Sequence, residues 1–141
     1  MHLSAVAAAD LPRVWPIVEP WLAQACARPG CDVAVGELRD LCAAGSATLV
    51  LIGRDAELVA AGVVQVAEHH DGRRFAAILA VGGRHARAWR HTLAQIEDGA
   101  RRLGCATVEW IGRRGWGRLL PDYAATPTPA GTLYTKMLGA A

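Results

Sequence analysis

The stretch Phe75–Gly104, FAAILAVGGRHARAWRHTLAQIEDGARRLG, decides the fold of this chain. Its first part is apolar, it breaks at Gly82-Gly83, and an amphipathic pattern begins at once. Ala86, Trp89, Leu93, Ile96, Ala100 and Leu103 recur in steps of three and four. Arg87, Arg90, Gln95, Glu97, Asp98, Arg101 and Arg102 avoid that stripe, so the spacing predicts one long helix. Gly104 closes it. A strand, a glycine turn and a helix in succession offer unpaired backbone N–H groups and a positive helix end to an anion. Arg84, His85 and Arg87 stand where such a charge would fall. Cations there oppose the helix dipole, which a bound anion would relieve; the other reading is an ordinary solvated helix start.

Upstream, residues 47–53 (ATLVLIG) and 58–68 (LVAAGVVQVAE) read as strands, with Arg54-Asp55 as the turn between them. His69-His70-Asp71-Gly72 is a hairpin signal, and residues 73–81 return as a third strand, so an antiparallel meander is expected. Downstream, residues 105–111 (CATVEWI) follow the long helix after a short turn, a β-α-β crossover that places this strand parallel to the third. Residues 112–117 (GRRGWG) make a loop, 118–124 at most a short helix, 126–130 an extended segment and 133–138 a last strand. At the other end, residues 1–9 suggest a short strand and Asp10 a helix N-cap with Pro12 in the first turn. Trp15, Val18, Leu22 and Ala25 give that helix an apolar face, while Pro16 and Pro20 predict a kink or a split. Residues 34–44 form a second helix closed by Gly45. The order is (β)ααβββαβαβ, an α/β chain with one mixed sheet, read as a single domain over residues 1–141. A cleft is expected beside the start of the long helix, where neighbouring strands stop pairing.

Composition narrows the classes. At 52% hydrophobic and 20% charged the chain is not disordered, and a net charge of +2 lacks the dense basic face of a dedicated nucleic-acid binder. Its basic residues are nearly all Arg, which suits carboxylate or phosphate recognition or simply reflects a GC-rich genome. No apolar run reaches the roughly 18 residues of a membrane span, and no export signal precedes the first strand. Cys26, Cys31, Cys42 and Cys105 lack zinc-ligand spacing and read as thiols of a reducing compartment, so no metal site is expected. His69 and His70 point to opposite sides of an extended chain and read as an exposed turn. Trp110, Trp116, Tyr123 and Tyr134 line a pocket or pack the core. The loop Arg113–Trp116 has the composition of a protein-binding surface.

The element order resembles the GNAT N-acyltransferase superfamily over nearly the whole chain. The finer likeness is to small GNAT-like proteins encoded by phages and prophages. It is carried by LPRVWPIV at 11–18, Gly72-Arg73-Arg74, Gly82-Gly83 and Gly112-Arg113-Arg114-Gly115-Trp116. The resemblance implies acetyl-CoA or another acyl-CoA as substrate, held by Val81, Gly82, Gly83, Arg84, His85 and Arg87, with the pyrophosphate at the helix N-terminus. The superfamily's phosphate turn, [QR]-x-x-G-x-[GA], is replaced here by VGGRHAR. It also implies a strand carboxylate as base and a tyrosine as acid. Glu109 and Tyr123 are the positions that match, with Tyr123 a few residues late. Glu109 has a plainer reading as a solvent-facing strand residue or a partner of Arg113. The implied activity is acyl transfer to a small-molecule or protein amine by direct attack, in the cytoplasm. The alternative is a catalytically inactive phage protein with a structural or host-interaction role, in the virion.

Overall fold

The meander anticipated from residues 47–81 forms the centre of a seven-stranded sheet. The computed structural model describes residues 2–27, 33–84, 89–112, 118 and 120–139. The strands are β1 (His2–Val6), β2 (Thr48–Arg54), β3 (Glu57–Glu68), β4 (Arg74–Gly83), β5 (Thr107–Gly112), β6 (Ala124–Thr128) and β7 (Gly131–Met137). The helices are α1 (Leu11–Cys26), α2 (Val35–Ala43) and α3 (Trp89–Arg102), with a 3-10 turn at Ala8–Asp10 before α1. Sheet order is β1-β2-β3-β4-β5-β7-β6. Every neighbouring pair is antiparallel except β4 and β5, which α3 joins in parallel.

Two cores lie on opposite faces. On one face Leu11, Trp15, Val18 and Leu22 of α1 and Leu38 and Cys42 of α2 pack on Leu49, Ala61 and Val63. On the other, Leu93, Ile96 and Ala100 of α3 pack on Ala76, Ile78, Val108 and Tyr134. Leu103 ends the predicted stripe but is 57% exposed, because it lies beyond the last helical turn. Burial pushes the Cys42 thiol up from its ordinary range, as expected of an inert core cysteine.

Two expectations need correcting, the helix split and the glycine turn, and two gain detail, the N-cap and the Pro/Thr-rich segment. Pro16 and Pro20 sit inside one continuous helix, so the split does not occur. With Pro12 they fall four apart on an exposed stripe, so the carbonyls they leave without N–H partners face water. Asp10 takes the N-cap position but makes no cap bond, since its carboxylate accepts from Arg13 at 3.1 Å. The Pro/Thr-rich segment is the edge strand β6, extended as expected but paired with β7. Gly82 and Gly83 do not form a turn; they are the last residues of β4. A Cβ on Gly82 would lie 2.4 Å from the Trp21 carbonyl oxygen, so its lack of a side chain lets α1 lie directly on the strand. Gly83 has φ +133°, a backbone region open to glycine alone.

Candidate active site

The parallel pair β4 and β5 is joined at only three positions, Phe75↔Thr107, Ala76↔Val108 and Ala77↔Glu109. Beyond Ala77 the two strands are not paired among the described residues, so the sheet opens toward their C-terminal ends, where α3 begins. A bulge at Val63/Val64 in the β3–β4 ladder changes which peptides face that opening. Below it, the Arg74 carbonyl points to β5 and accepts from the Ala106 N–H at 2.7 Å. Above it, the Arg84 N–H donates back to the Val59 carbonyl at 2.7 Å. Antiparallel alternation then turns the Gly82 peptide toward β3 and the N–H groups of Val81 and Gly83 toward the opening.

Among the six cofactor-binding candidates, therefore, Val81 and Gly83 present amides to the cleft, whereas the Gly82 and Arg84 amides serve the β3 ladder. The Arg84 guanidinium is exposed and meets Glu57 at 3.4 Å. His85 and Arg87 lie outside the described residues, as does the Arg113–Trp116 loop. Thr92, in the first turns of α3, is 1% exposed, and its Oγ1 has no hydrogen-bond partner among the described residues.

Glu109 stands at the last paired position, the vertex of the opening. Val108 packs with the α3 core, so strand alternation turns Glu109 to the face that carries α1 and α2. Its side chain is 16% exposed, and Oε2 lies 3.0 Å from His69 Nε2 and 3.4 Å from the Thr107 hydroxyl. His69 stacks on Phe75 with ring centroids 4.1 Å apart. The solvated turn anticipated at residues 69–72 thus supplies a partner for the carboxylate. Neighbouring Asp71 is held below the usual carboxylate range, first by the Arg73 backbone N–H.

Tyr123 lies on the opposite face. It is 6% exposed, its ring contacts Trp110 at 4.4 Å, and its hydroxyl donates to Glu97 at 2.8 Å. Lys136 reaches the other oxygen of Glu97, also at 2.8 Å. Burial first, then the Glu97 carboxylate, push the Tyr123 phenol far above the ordinary tyrosine range, so it stays protonated. The structure does not bring Glu109 and Tyr123 together: Trp110 follows Glu109 on β5 and shares its side with Tyr123. Glu97, expected on the solvated arc of α3, is buried at 6% exposure.

No protein-family model matches the chain, and no curated protein matches its sequence. Solved structures do match. The polyamine N-acetyltransferase of Drosophila melanogaster superposes with a TM-score of 0.71 at 10% identity, over 96% of this chain and 99% of that one. The ribosomal-protein-S18-alanine N-acetyltransferase of Escherichia coli gives 0.67 at 15% identity, over 99% and 95%. The PaiA N-acetyltransferase of Thermoplasma acidophilum, in complex with coenzyme A, gives 0.64 at 11% identity, over 97% and 99%. The fold is the GNAT fold. At these identities the GNAT likeness fixes the architecture, and the choice of substrate must be argued from the site itself. No described helix is long and apolar enough to cross a membrane.

Proposed function

We propose that the protein is an acyl-CoA-dependent N-acyltransferase that uses the opening between β4 and β5. One observation carries this reading: the opening has cleft-facing N–H groups of Val81 and Gly83 along one strand and, at its closed end on the other, the Glu109 carboxylate, about four residues or roughly 13 Å from Val81 along the strand. Peptide N–H groups fixed in a sheet are already oriented to bind a thioester carbonyl and the negative charge that grows on its oxygen. Gly83 is exposed, and its missing side chain makes room for Val59 and Ala60 of β3. Arg84 and the start of α3 supply positive potential for the phosphates.

In this scheme Glu109 takes a proton from the acceptor amine through water. The amine nitrogen then bonds to the acyl carbon, the carbon–sulfur bond breaks, and the thiolate leaves and is protonated from the medium. Tyr123, assigned above as the acid, gives its hydrogen to Glu97 on the far face; it enters the scheme as a support for Trp110. The acceptor is a small-molecule or protein amine. The reading puts the protein in the cytoplasm, with the Arg113–Trp116 loop as a protein-contact surface.

A second reading keeps the scaffold without the chemistry, as a GNAT-like phage protein with a structural or host-interaction role. The Arg84 amide bonded to Val59 favours it, because that N–H cannot also serve a phosphate. Titrating acetyl-CoA while following Tm separates the two. A ligand at about 100 times its Kd that binds only the folded state adds about 2.7 kcal/mol, which raises Tm by several degrees. No shift at saturating acetyl-CoA would leave only the second reading.

A further inference from the structure

The geometry points to His69 as the residue that positions Glu109 for proton transfer. This rests on the acyltransferase reading above. A carboxylate can only accept a hydrogen bond, so the 3.0 Å contact to Oε2 requires the hydrogen on His69 Nε2 and leaves Nδ1 bare in the neutral ring. The ring is fixed from two sides. Its face stacks on Phe75 at 17° between planes, and its backbone is tied into the β3–β4 turn by the 2.8 Å bond from the His69 N–H to the Arg73 carbonyl. That makes it a preoriented donor. It pins Oε2, with the Thr107 hydroxyl as a weaker second contact at 3.4 Å, and leaves Oε1 as the oxygen available at the vertex.

The register places this contact usefully. Phe75 is paired with Thr107 and Ala77 with Glu109, so His69 stacks two residues behind the vertex, on the closed side of the opening. It holds the carboxylate from behind and does not block the cleft. His69 keeps 40% of its side chain exposed while it holds the largely covered carboxylate. The proton taken by Oε1 breaks one amine N–H bond and forms one carboxyl O–H bond. It then passes from Oε1 to water in the open cleft, so no further reactant is consumed. The charged groups around the imidazole are Glu109 on β5 and Asp71 with Arg73 in its own turn.

A double-mutant cycle in the full chain tests this, with acetyl-CoA and a panel of primary amines. His69→Ala should lower kcat about 10- to 100-fold, the usual size for removing a group that orients a reacting side chain. KM for acetyl-CoA and Tm should stay close to wild type. His69→Gln, whose amide can place an N–H near the same point, should recover most of the loss. Adding His69→Ala to Glu109→Gln should cost nothing more, because the carboxylate it serves is gone. An additive double mutant, or equal loss in the Ala and Gln variants, would overturn the assignment. A substrate-free measurement decides independently: nitrogen NMR of the imidazole should show the Nε2–H tautomer, and the Nδ1–H tautomer would refute it. Failure of wild type to bind acetyl-CoA would instead sink the acyltransferase reading, and this role with it.

Discussion

Glu109 and Glu97 are two carboxylates on opposite faces of one sheet, and their surroundings differ in kind. Glu97 is sealed: its side chain is 8% exposed, and both oxygens are bonded, one to Tyr123 and one to Lys136. Glu109 is 16% exposed, and its described bonds all fall on one oxygen. A carboxylate with both oxygens engaged holds structure together. One with an oxygen to spare, beside a break in strand pairing, is able to move a proton. The contrast teaches that a buried acid in a fold of this kind need not be the reacting one.

The largest expected effect breaks the comparison at Glu109. Glu109→Gln keeps the shape and the acceptor oxygen but removes the base, so turnover should fall by about 10²- to 10⁴-fold. Thermal stability should change little, because the site is partly solvated. Single-turnover rates at saturating acyl-CoA read the effect directly. A variant as active as wild type would move the base elsewhere.

Glu97→Ala should do the reverse. It strands a lysine and a phenol that were bonded to it, at a cost of about 3 kcal/mol, the low end for breaking a buried pair because Lys136 keeps some water contact. The denaturant midpoint should fall with an unchanged slope, while the folded fraction retains its acyl-CoA affinity. Loss of binding with full stability would mean the sealed cluster belongs to the site after all.

Tyr123→Phe is a milder cut at the same cluster, worth about 1–2 kcal/mol for one hydrogen bond to a charged group. It also carries a pH signature. The folded protein holds the phenol's proton more tightly than the unfolded chain does. That contribution is fully present below the ordinary tyrosine value of about 10 and is lost as pH rises above it. Wild type should therefore lose stability on the alkaline side, and Tyr123→Phe should lose less. Melts between about pH 8 and 11 check the sign.

How far such contrasts can be read from the chain depends on the range of the interaction. The α3 stripe, the crossover and the meander are local patterns, and Leu93, Ile96 and Ala100 are buried where the period puts them. Glu97 was illegible because its partners lie 26 and 39 residues onward, on a turn and a strand whose faces no local period reveals. The same holds for Glu109 and His69, 40 residues apart. Periodicity showed that adjacent histidines diverge, yet it could not show that one of them meets β5. Gly82 and Gly83 looked like a strand break because the groups that need their missing side chains, Trp21 of α1 for Gly82 and Val59 and Ala60 of β3 for Gly83, lie far earlier in the chain. Pro16 and Pro20 did carry a usable signal: with Pro12 they keep a spacing of four, so the carbonyls left unbonded share one exposed stripe.

Glu57 extends the comparison to a third carboxylate, one that is mostly solvent. It meets Arg84 at 3.4 Å, with the two side chains 66% and 65% exposed. Such a pair contributes at most about 1 kcal/mol and is screened by salt. Glu57→Gln should therefore leave Tm nearly unchanged. It should nevertheless tighten acetyl-CoA binding if Arg84 faces the phosphates, since the arginine no longer divides its charge between a carboxylate and the ligand. The gain is bounded by the pair's own worth, about fivefold in Kd, and should vanish at about 1 M salt, where the Debye length of about 3 Å is shorter than the separation of the pair. Calorimetric titration at two salt concentrations measures both. An unchanged Kd would remove Arg84 from the phosphate site while leaving Val81, Gly83 and Glu109 in place, because their roles depend on strand geometry and owe nothing to surface charge.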